Sequence, residues 1–427
     1  MKNANNQYFI IYNIGELITA SDNPWIIKDA AIVIDKKNGI IKDIDKNITI
    51  KNEFDLSKHN SIDAKGAPVL PGFIDSHTHF VFGGYRSDEY LWRLEGQSYS
   101  EIMKKGGGIV NTVDATREAS FENLLNSGKK RLDNYLQQGV TTIEGKSGYG
   151  LNIETEIKQL DVMRSLNSKH PIDVVQTFMG AHSVSREFKD NKEGFVNYVI
   201  EEMLPVVAER KDVSFCDVFC DEGIFTIEQT RNILTKAKSL GLKPKLHVDE
   251  IAYVGGAELA AEINAVSAEH LLKVSDQGIT RMAENNVIPV ILPITAFSLQ
   301  EKYAPVRKML KNGLDVAVST DFNPGSSHSY SIPLLLSLSA IKLKMNLKEI
   351  VKAVTINAAK ALDRDKLIGS LEPGKFADLI ILDAPSSEHL IYNIGGNIVD
   401  TVIKRGFVVH KKDDLYYEKN NFIKGDK

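Results

Sequence analysis

The stretch Val69–Phe80, VLPGFIDSHTHF, is an apolar run that closes on two histidines one residue apart. In an extended chain successive side chains alternate faces, so His77 and His79 point the same way. Two imidazoles on one face of a strand end can converge on one metal ion, or can be a chance pair in a loop. Whether further ligands stand elsewhere decides between the two.

Seven similar runs follow. They are GVTTIEGKS (139–147), DVVQTFMGAH (173–182), SFCDVFCDEG (214–223), KPKLHVDE (243–250), AVSAEHL (265–271), VIPVILPIT (287–295) and DVAVSTDFNP (315–324). Between them lie segments of helical periodicity, such as SFENLLNSGKKRLDNYLQQ (120–138) and TIEQTRNILTKAKSLG (226–241). Runs that are mostly apolar, with little alternation, suit a parallel sheet buried on both faces. Strand and helix alternating eight times predict an α/β protein built on a (β/α)8 barrel. The alternative is an open doubly wound sheet. No strand leads into a dinucleotide-binding glycine pattern, and the triplet Gly106–Gly108 lacks its spacing.

The flanks read differently. Before about Val69 come short strand patterns, among them AAIVIDKKNGIIKDI with Asn38 and Gly39 at its turn. After Gly369 they return in FADLIILDA and IVDTVIKRGFVVHKK, with Gly406 at a turn. Chain termini often lie close together, so residues 1–69 and 369–427 are expected to pair into one small β domain, interrupted by a barrel over 70–368.

The bulk numbers exclude some partners. Of 427 residues, 25% are charged and the net charge is −4, which disfavours a nucleic-acid surface. No segment is long and apolar enough to span a bilayer. The start, MKNANNQYFIIYNIGEL, lacks the layout of a signal peptide, so a cytoplasmic protein without a membrane partner is expected. Cys216 and Cys220 lie four residues apart in a strand pattern, about 13 Å, too far for a disulfide. They are expected to be buried reduced thiols.

A barrel carries its chemistry at the C-terminal ends of its strands. His77 and His79 end the first run. Lys146, Ser147, Tyr149 and Gly150 follow the second, and His182 ends the third. His247, Asp249 and Glu250 end the fifth; Glu269 and His270 close the sixth; Asp321, Phe322, Asn323 and Pro324 end the eighth. Five of the ten histidines therefore fall where a barrel builds its site. His59, His170, His389 and His410 read as surface or structural residues, and His328 as a residue at the rim. Taken singly, His247 or His270 reads equally as a hydrogen-bonded structural histidine, and Asp321 as a helix cap. Convergence on one mouth favours a metal. Three imidazoles with one carboxylate, from His77, His79, His247 and Asp321, suit Zn, Fe, Co, Ni or Mn. Such a site leaves room for water and makes it acidic, which points to a hydrolase.

These motifs resemble the amidohydrolase superfamily. Within it, RLEGQSYSEI (93–102), EGKSGYGL (144–151), GAHSVSRE (180–187) and TDFNPGS (320–326) are similar to the hydrolases of imidazolone propanoate in histidine degradation. The resemblance implies a barrel with a small β-sandwich, a homodimer, and one Zn2+ or Fe3+ per chain. Relatives with two metals use a lysine on the fourth strand, and this chain has none there. The implied substrate is 4-imidazolone-5-propanoate, cleaved at a ring C–N bond to N-formimidoyl-L-glutamate. The implied roles follow. His77, His79, His247 and Asp321 hold the metal. Glu250 moves a proton at the ring. His270 orients or deprotonates water, and His182 donates to the ring carbonyl. Arg86 and Tyr149 hold the propanoate, and Asn323, Gly325 and Ser326 offer polar contacts. The rival readings are a deaminase of an amino-substituted ring, which would release ammonia, and a non-catalytic scaffold, which would lack the ligands.

Overall fold

The computed structural model describes residues 7–97, 101, 105 and 107–412. Residues 98–100 and 102 of RLEGQSYSEI, Gly106 and the chain end from 413 lie outside these. Among the described residues five strands come first: β1 (Tyr8–Ile18), β2 (Ile26–Asp35), β3 (Ile40–Lys46), β4 (Asn60–Asp63) and β5 (Pro68–Pro71). Gly72 then carries the chain from one sheet to another. A methyl group there would stand 2.3 Å from the Thr141 side chain, so no larger residue fits the crossing. The run Val69–Phe80 thus serves two sheets.

The second sheet holds β6 (Phe73–Asp75), β7 (Val140–Lys146), β8 (Asp173–Ala181), β9 (Val213–Cys220), β10 (Lys243–Val248), β11 (Ser267–His270), β12 (Ile288–Ile291) and β13 (Ala317–Val318). They lie in chain order and every pair is parallel. The ring closes just beyond the last strand. Asp321 donates its backbone N–H to the His77 carbonyl (3.1 Å), and His79 donates to the Phe322 carbonyl (2.9 Å). Deeper in, side chains bridge the same seam: Thr320 donates through its backbone N–H and its hydroxyl to Asp75, at 3.1 and 2.6 Å. The closure of the barrel therefore fixes His77, His79 and Asp321 relative to one another.

Helices wrap this sheet with their apolar faces inward. The helix Phe121–Leu136 buries Leu124, Leu132 and Tyr135, and Ser120 caps it by accepting the Asn123 N–H. Thr226 and Gln229 form a reciprocal cap on the helix Ile227–Ser239. Each cap stabilises its helix by about 1 kcal/mol.

The chain ends in β14 (Leu379–Leu382), β15 (Val399–Lys404) and β16 (Phe407–Lys411). These complete the first sheet in the order β16-β15-β14-β5-β1-β2-β3, with β4 on β1. β14 runs antiparallel to β5, pairing Ile380 with Leu70. The two ends of the chain thus build one sheet around a shared core of Ile11, Leu17, Val69, Leu379 and Ile403. Among the described residues no helix is long and apolar enough to cross a membrane. Cys216 and Cys220 are free and buried in β9.

Candidate metal centre and active site

At the C-terminal mouth of the barrel four groups converge. His77 Nε2 lies 3.3 Å from Asp321 Oδ1, His79 Nε2 lies 3.7 Å from the same oxygen, and His247 Nε2 lies 3.4 Å from His79 Nε2. None of the four residues is more than 3% exposed. A tetrahedral shell with bonds of about 2.0 Å sets neighbouring donors about 3.3 Å apart. His77, His79 and His247 form one such cluster of donors, and Asp321 joins it through His77, with which it and His270 form a second cluster. His77 Nε2 is buried with no hydrogen-bond partner, a state that a cation relieves. Asp321 Oδ2 accepts from Thr295 Oγ1 (2.7 Å), which leaves Oδ1 to face the imidazoles. His270 and Asp321 both hold left-handed backbone, φ +71° and +51°. Strain of this kind persists where surrounding structure over-determines it.

A second layer beneath turns the imidazoles. His247 Nδ1 is 3.0 Å from Asp217 Oδ1, and His77 Nδ1 pairs with Glu269 Oε2. A carboxylate can only accept, so it keeps the hydrogen on Nδ1 and frees Nε2 for a metal. Lys146 Nζ ties this layer together, at 2.7 Å from Asp217, 2.8 Å from Glu269 and 3.1 Å from Glu144. Lys245 Nζ lies 2.6 Å from Glu144 and 3.1 Å from Glu269. Burial opposes the charge on Lys146, but Asp217, Glu144 and Glu269 outweigh it and raise its pKa. Burial would raise Asp217 as well; His247 and Lys146 instead bring it to about 2. Within this layer and Asp321, four buried carboxylates meet two ammonium groups, and Asp75 adds a fifth carboxylate beside His77. The excess of carboxylates over ammonium groups suits a bound cation.

Sequence reading missed Asp217, Glu144 and Lys245 as parts of the site. A signal was present in strand parity. Lys245 stands two residues before His247, and Glu144 two before Lys146, so each shares a face with its partner. A lone Asp217 inside FCDVF was the other sign.

The remaining predicted residues sit around the mouth. Glu250 Oε1 is 3.4 Å from His270 Nδ1. Burial, with Asp321 and Asp221 nearby, pushes Glu250 up to about 8. Burial also holds His270 well below the usual imidazole range and, with His247, takes His182 down to about 3, so both are neutral. His182 Nδ1 lies 3.1 Å from the Gly148 carbonyl. That oxygen accepts only, so Nδ1 carries the hydrogen and Nε2 presents a lone pair. A neutral His182 in this tautomer can accept a hydrogen bond at Nε2, whereas the expected role, donor to the ring carbonyl, needs a hydrogen on Nε2. Tyr149 is buried, with its ring 5.8 Å from His79 and 5.4 Å from His182.

Arg86 is engaged within its own helix turn: Nε and Nη2 donate to the two oxygens of Glu89, at 2.9 and 2.7 Å. Its Nη1 faces Gly325, where a methyl group would stand 2.2 Å away. Asn323 uses its side chain on its own loop, accepting from the Gly325 and Ser326 N–H groups, both at 2.8 Å, and donating to Ser326 Oγ (2.9 Å). A cavity of about 490 Å3 opens beside Arg86 and Gly325, with Tyr85, Arg93, Phe297 and His328 in its wall. His328 lines this cavity.

A parallel barrel whose mouth gathers imidazoles and carboxylates in this way defines a metal-dependent hydrolase of the amidohydrolase class. The Amidohydrolase family matches residues 229–409. The solved structures agree in fold. A zinc-bound adenosine deaminase from Xanthomonas campestris superposes with a TM-score of 0.72 at 17% identity, covering 94% of this chain and 93% of that one. A triazine hydrolase variant gives 0.70 at 17% identity over 97% of each chain. Two curated relatives are far more similar. The imidazolonepropionase of Clostridium tetani is 51% identical over 94% of this chain and 98% of its own. That of Parabacteroides distasonis is 50% identical over the same shares. The chain belongs to the imidazolonepropionase family.

Proposed function

We infer that the chain hydrolyses 4-imidazolone-5-propanoate to N-formimidoyl-L-glutamate, a step of histidine degradation. The observation that carries this is the cluster of His77, His79 and His247 with Asp321 beside His77 and His79, in a chain about half identical to imidazolonepropionases along nearly its whole length. Those four residues would hold one Zn2+ or Fe3+. When bound, the cation supplies Lewis acidity, which polarises a carbonyl and makes water a nucleophile near neutral pH.

The chain's own groups do the rest. Glu250 and His270 stand as an acid–base pair beside the metal ligands, and a carboxyl whose proton affinity is raised by burial is suited to carry a proton both ways. Water adds its oxygen to the ring carbonyl carbon and gives up a proton to this pair. The bond from that carbon to the ring nitrogen breaks, and Glu250 returns the proton to the departing nitrogen. The former carbonyl becomes a carboxylate and the nitrogen becomes part of the formimidoyl group. His182 accepts from a ring N–H and so sets the ring's orientation. Tyr149 and the free Nη1 edge of Arg86 hold the propanoate. Asn323 acts on the substrate through Gly325 and Ser326, whose loop it shapes.

Exposed Tyr85, Tyr90, Leu91 and Phe297 around the cavity support a homodimer. The free thiols Cys216 and Cys220 suit a reducing cytoplasm. The test of the reaction is metal removal. Chelated protein should lose turnover of 4-imidazolone-5-propanoate and regain it with one equivalent of Zn2+ or iron. Full activity after complete chelation would overturn the reading.

A further inference from the structure

Arg131, on the helix Phe121–Leu136, is 6% exposed. Its Nη1 donates to the carbonyls of Phe80 (2.7 Å) and Phe82 (3.2 Å). Its guanidinium carbon stands 3.6 Å from the centre of the Phe82 ring and about equally far from the rings of Tyr85 (6.0 Å) and Phe322 (5.9 Å). Among the described residues no carboxylate forms an ion pair with it; the ionisable groups beside it are the uncharged phenols of Tyr85, which also hydrogen-bonds it, Tyr149 and Tyr135. A buried charge without a counter-charge is costly, and such groups are normally paired. Arg86 differs: both oxygens of Glu89 already match its charge.

The position of Arg131 gives its charge a use. Phe82 turns one face to Arg131 and meets Tyr149 edge-on, with ring centres 6.2 Å apart. Tyr149 borders the place assigned to the propanoate. Arg131 therefore lies one aromatic layer behind that place, with a low-dielectric ring between. A charge acting across such a layer is screened far less than it would be in water.

We propose that Arg131 is a specificity-determining residue: its field, acting through Phe82 beside Tyr149, selects substrates with an anionic tail, and the substrate carboxylate is its counter-charge. This rests on the assignment of the tail to Tyr149 and Arg86. Arg131 touches neither the substrate nor the metal ligands, so it tunes affinity for the tail and leaves bond cleavage to other groups.

The test compares two probes, imidazole-4-propanoate and its primary amide, by calorimetric titration of the metal-loaded full chain. The wild type should prefer the acid. Arg131→Gln removes the charge and, being shorter, also releases the Phe80 and Phe82 carbonyls, a loss that falls on acid and amide alike. It should cut the acid-to-amide preference by about tenfold or more, the order expected for one charge at such a range, and leave the amide's Kd within about twofold. Arg131→Lys should restore most of the preference. A purely structural role would weaken acid and amide alike and overturn the proposal, as would an unchanged preference in Arg131→Gln. A wild type that binds both probes equally would bring down the tail assignment as well, which separates the two failures. Should Arg131→Gln not fold, Arg86→Gln combined with Glu89→Gln, which leaves no unpaired carboxylate beside the tail, carries the test. With Arg131 in place it keeps a several-fold preference for the acid; complete loss of preference would refute the role of Arg131.

Discussion

Asp217 is the residue whose removal should report most cleanly on how the metal centre is built. It accepts from the Nδ1 side and the backbone N–H of His247, at 3.0 and 3.2 Å, and pairs with Lys146 Nζ at 2.7 Å. Asp217→Asn keeps the shape and one acceptor oxygen but removes the charge that holds the Nδ1–H tautomer. An asparagine can equally present its NH2 to Nδ1, and the hydrogen then moves to Nε2, where it blocks coordination. Loss of such a partner typically lowers metal affinity 10–100-fold, about 1.4–2.7 kcal/mol. Lys146 retains Glu269 and Glu144 as partners, so the fold should survive. The assay is a titration in zinc-buffered solution, read by bound metal after rapid desalting, with a melting curve to show that the apo variant is folded. Asp217→Asn should need 10–100-fold more free zinc for half-saturation. A folded variant with wild-type affinity would refute the orienting role of the buried layer.

Further outcomes follow from the same geometry. Arg86→Met should lower kcat/KM about a hundredfold or more, by losing a charge-assisted contact and leaving buried Glu89 unpaired next to the substrate tail; pairing it with Glu89→Gln should recover part of the loss, and metal content should stay constant throughout. Glu250→Gln should lower kcat by 10²–10⁴ as an approximate range, with metal content again unchanged by elemental analysis. In the metal-free protein Glu250 holds a proton from the ordinary carboxyl range near 4.5 up to about 8, while the unfolded chain releases it. The folded state binds more protons in that window, so this group's contribution to stability falls as pH rises through it. Denaturant melts should therefore find apo Glu250→Gln gaining on the wild type between pH 5 and 8, on the order of that window's width; parallel curves would contradict the assignment. A chain ended at Lys375 loses β14–β16 and uncovers β5, so limited proteolysis should then cut within residues 7–71, whereas undiminished protection would argue against the shared sheet.

The barrel was legible because its strands are nearly continuous apolar runs, and each ends in polar residues that a core strand has no other reason to carry. His77, His79, His247 and Asp321 were legible for the same reason. The layer below them was harder to see. Glu144, Lys146, Asp217, Lys245 and Glu269 come from four strands, and only three-dimensional pairing lets so many charges lie at 0% exposure. Arg86 illustrates the opposite limit. Both its pairing with Glu89 and its place beside Gly325 are visible in the structure, but an arginine two and three residues from acids reads the same way whether or not it also meets a ligand. The tautomer of His182 depended on a carbonyl 34 residues away, which no local pattern announces.

The central claim is that water, activated at the His77–His79–His247–Asp321 centre, cleaves the ring C–N bond of 4-imidazolone-5-propanoate. Turnover of freshly made substrate in H2(18)O, followed by mass spectrometry and an ammonia assay, tests it most directly. The account predicts N-formimidoyl-L-glutamate carrying one heavy oxygen in its newly formed carboxylate, with no ammonia. Release of ammonia, or intact substrate after incubation with metal-loaded protein, would contradict it.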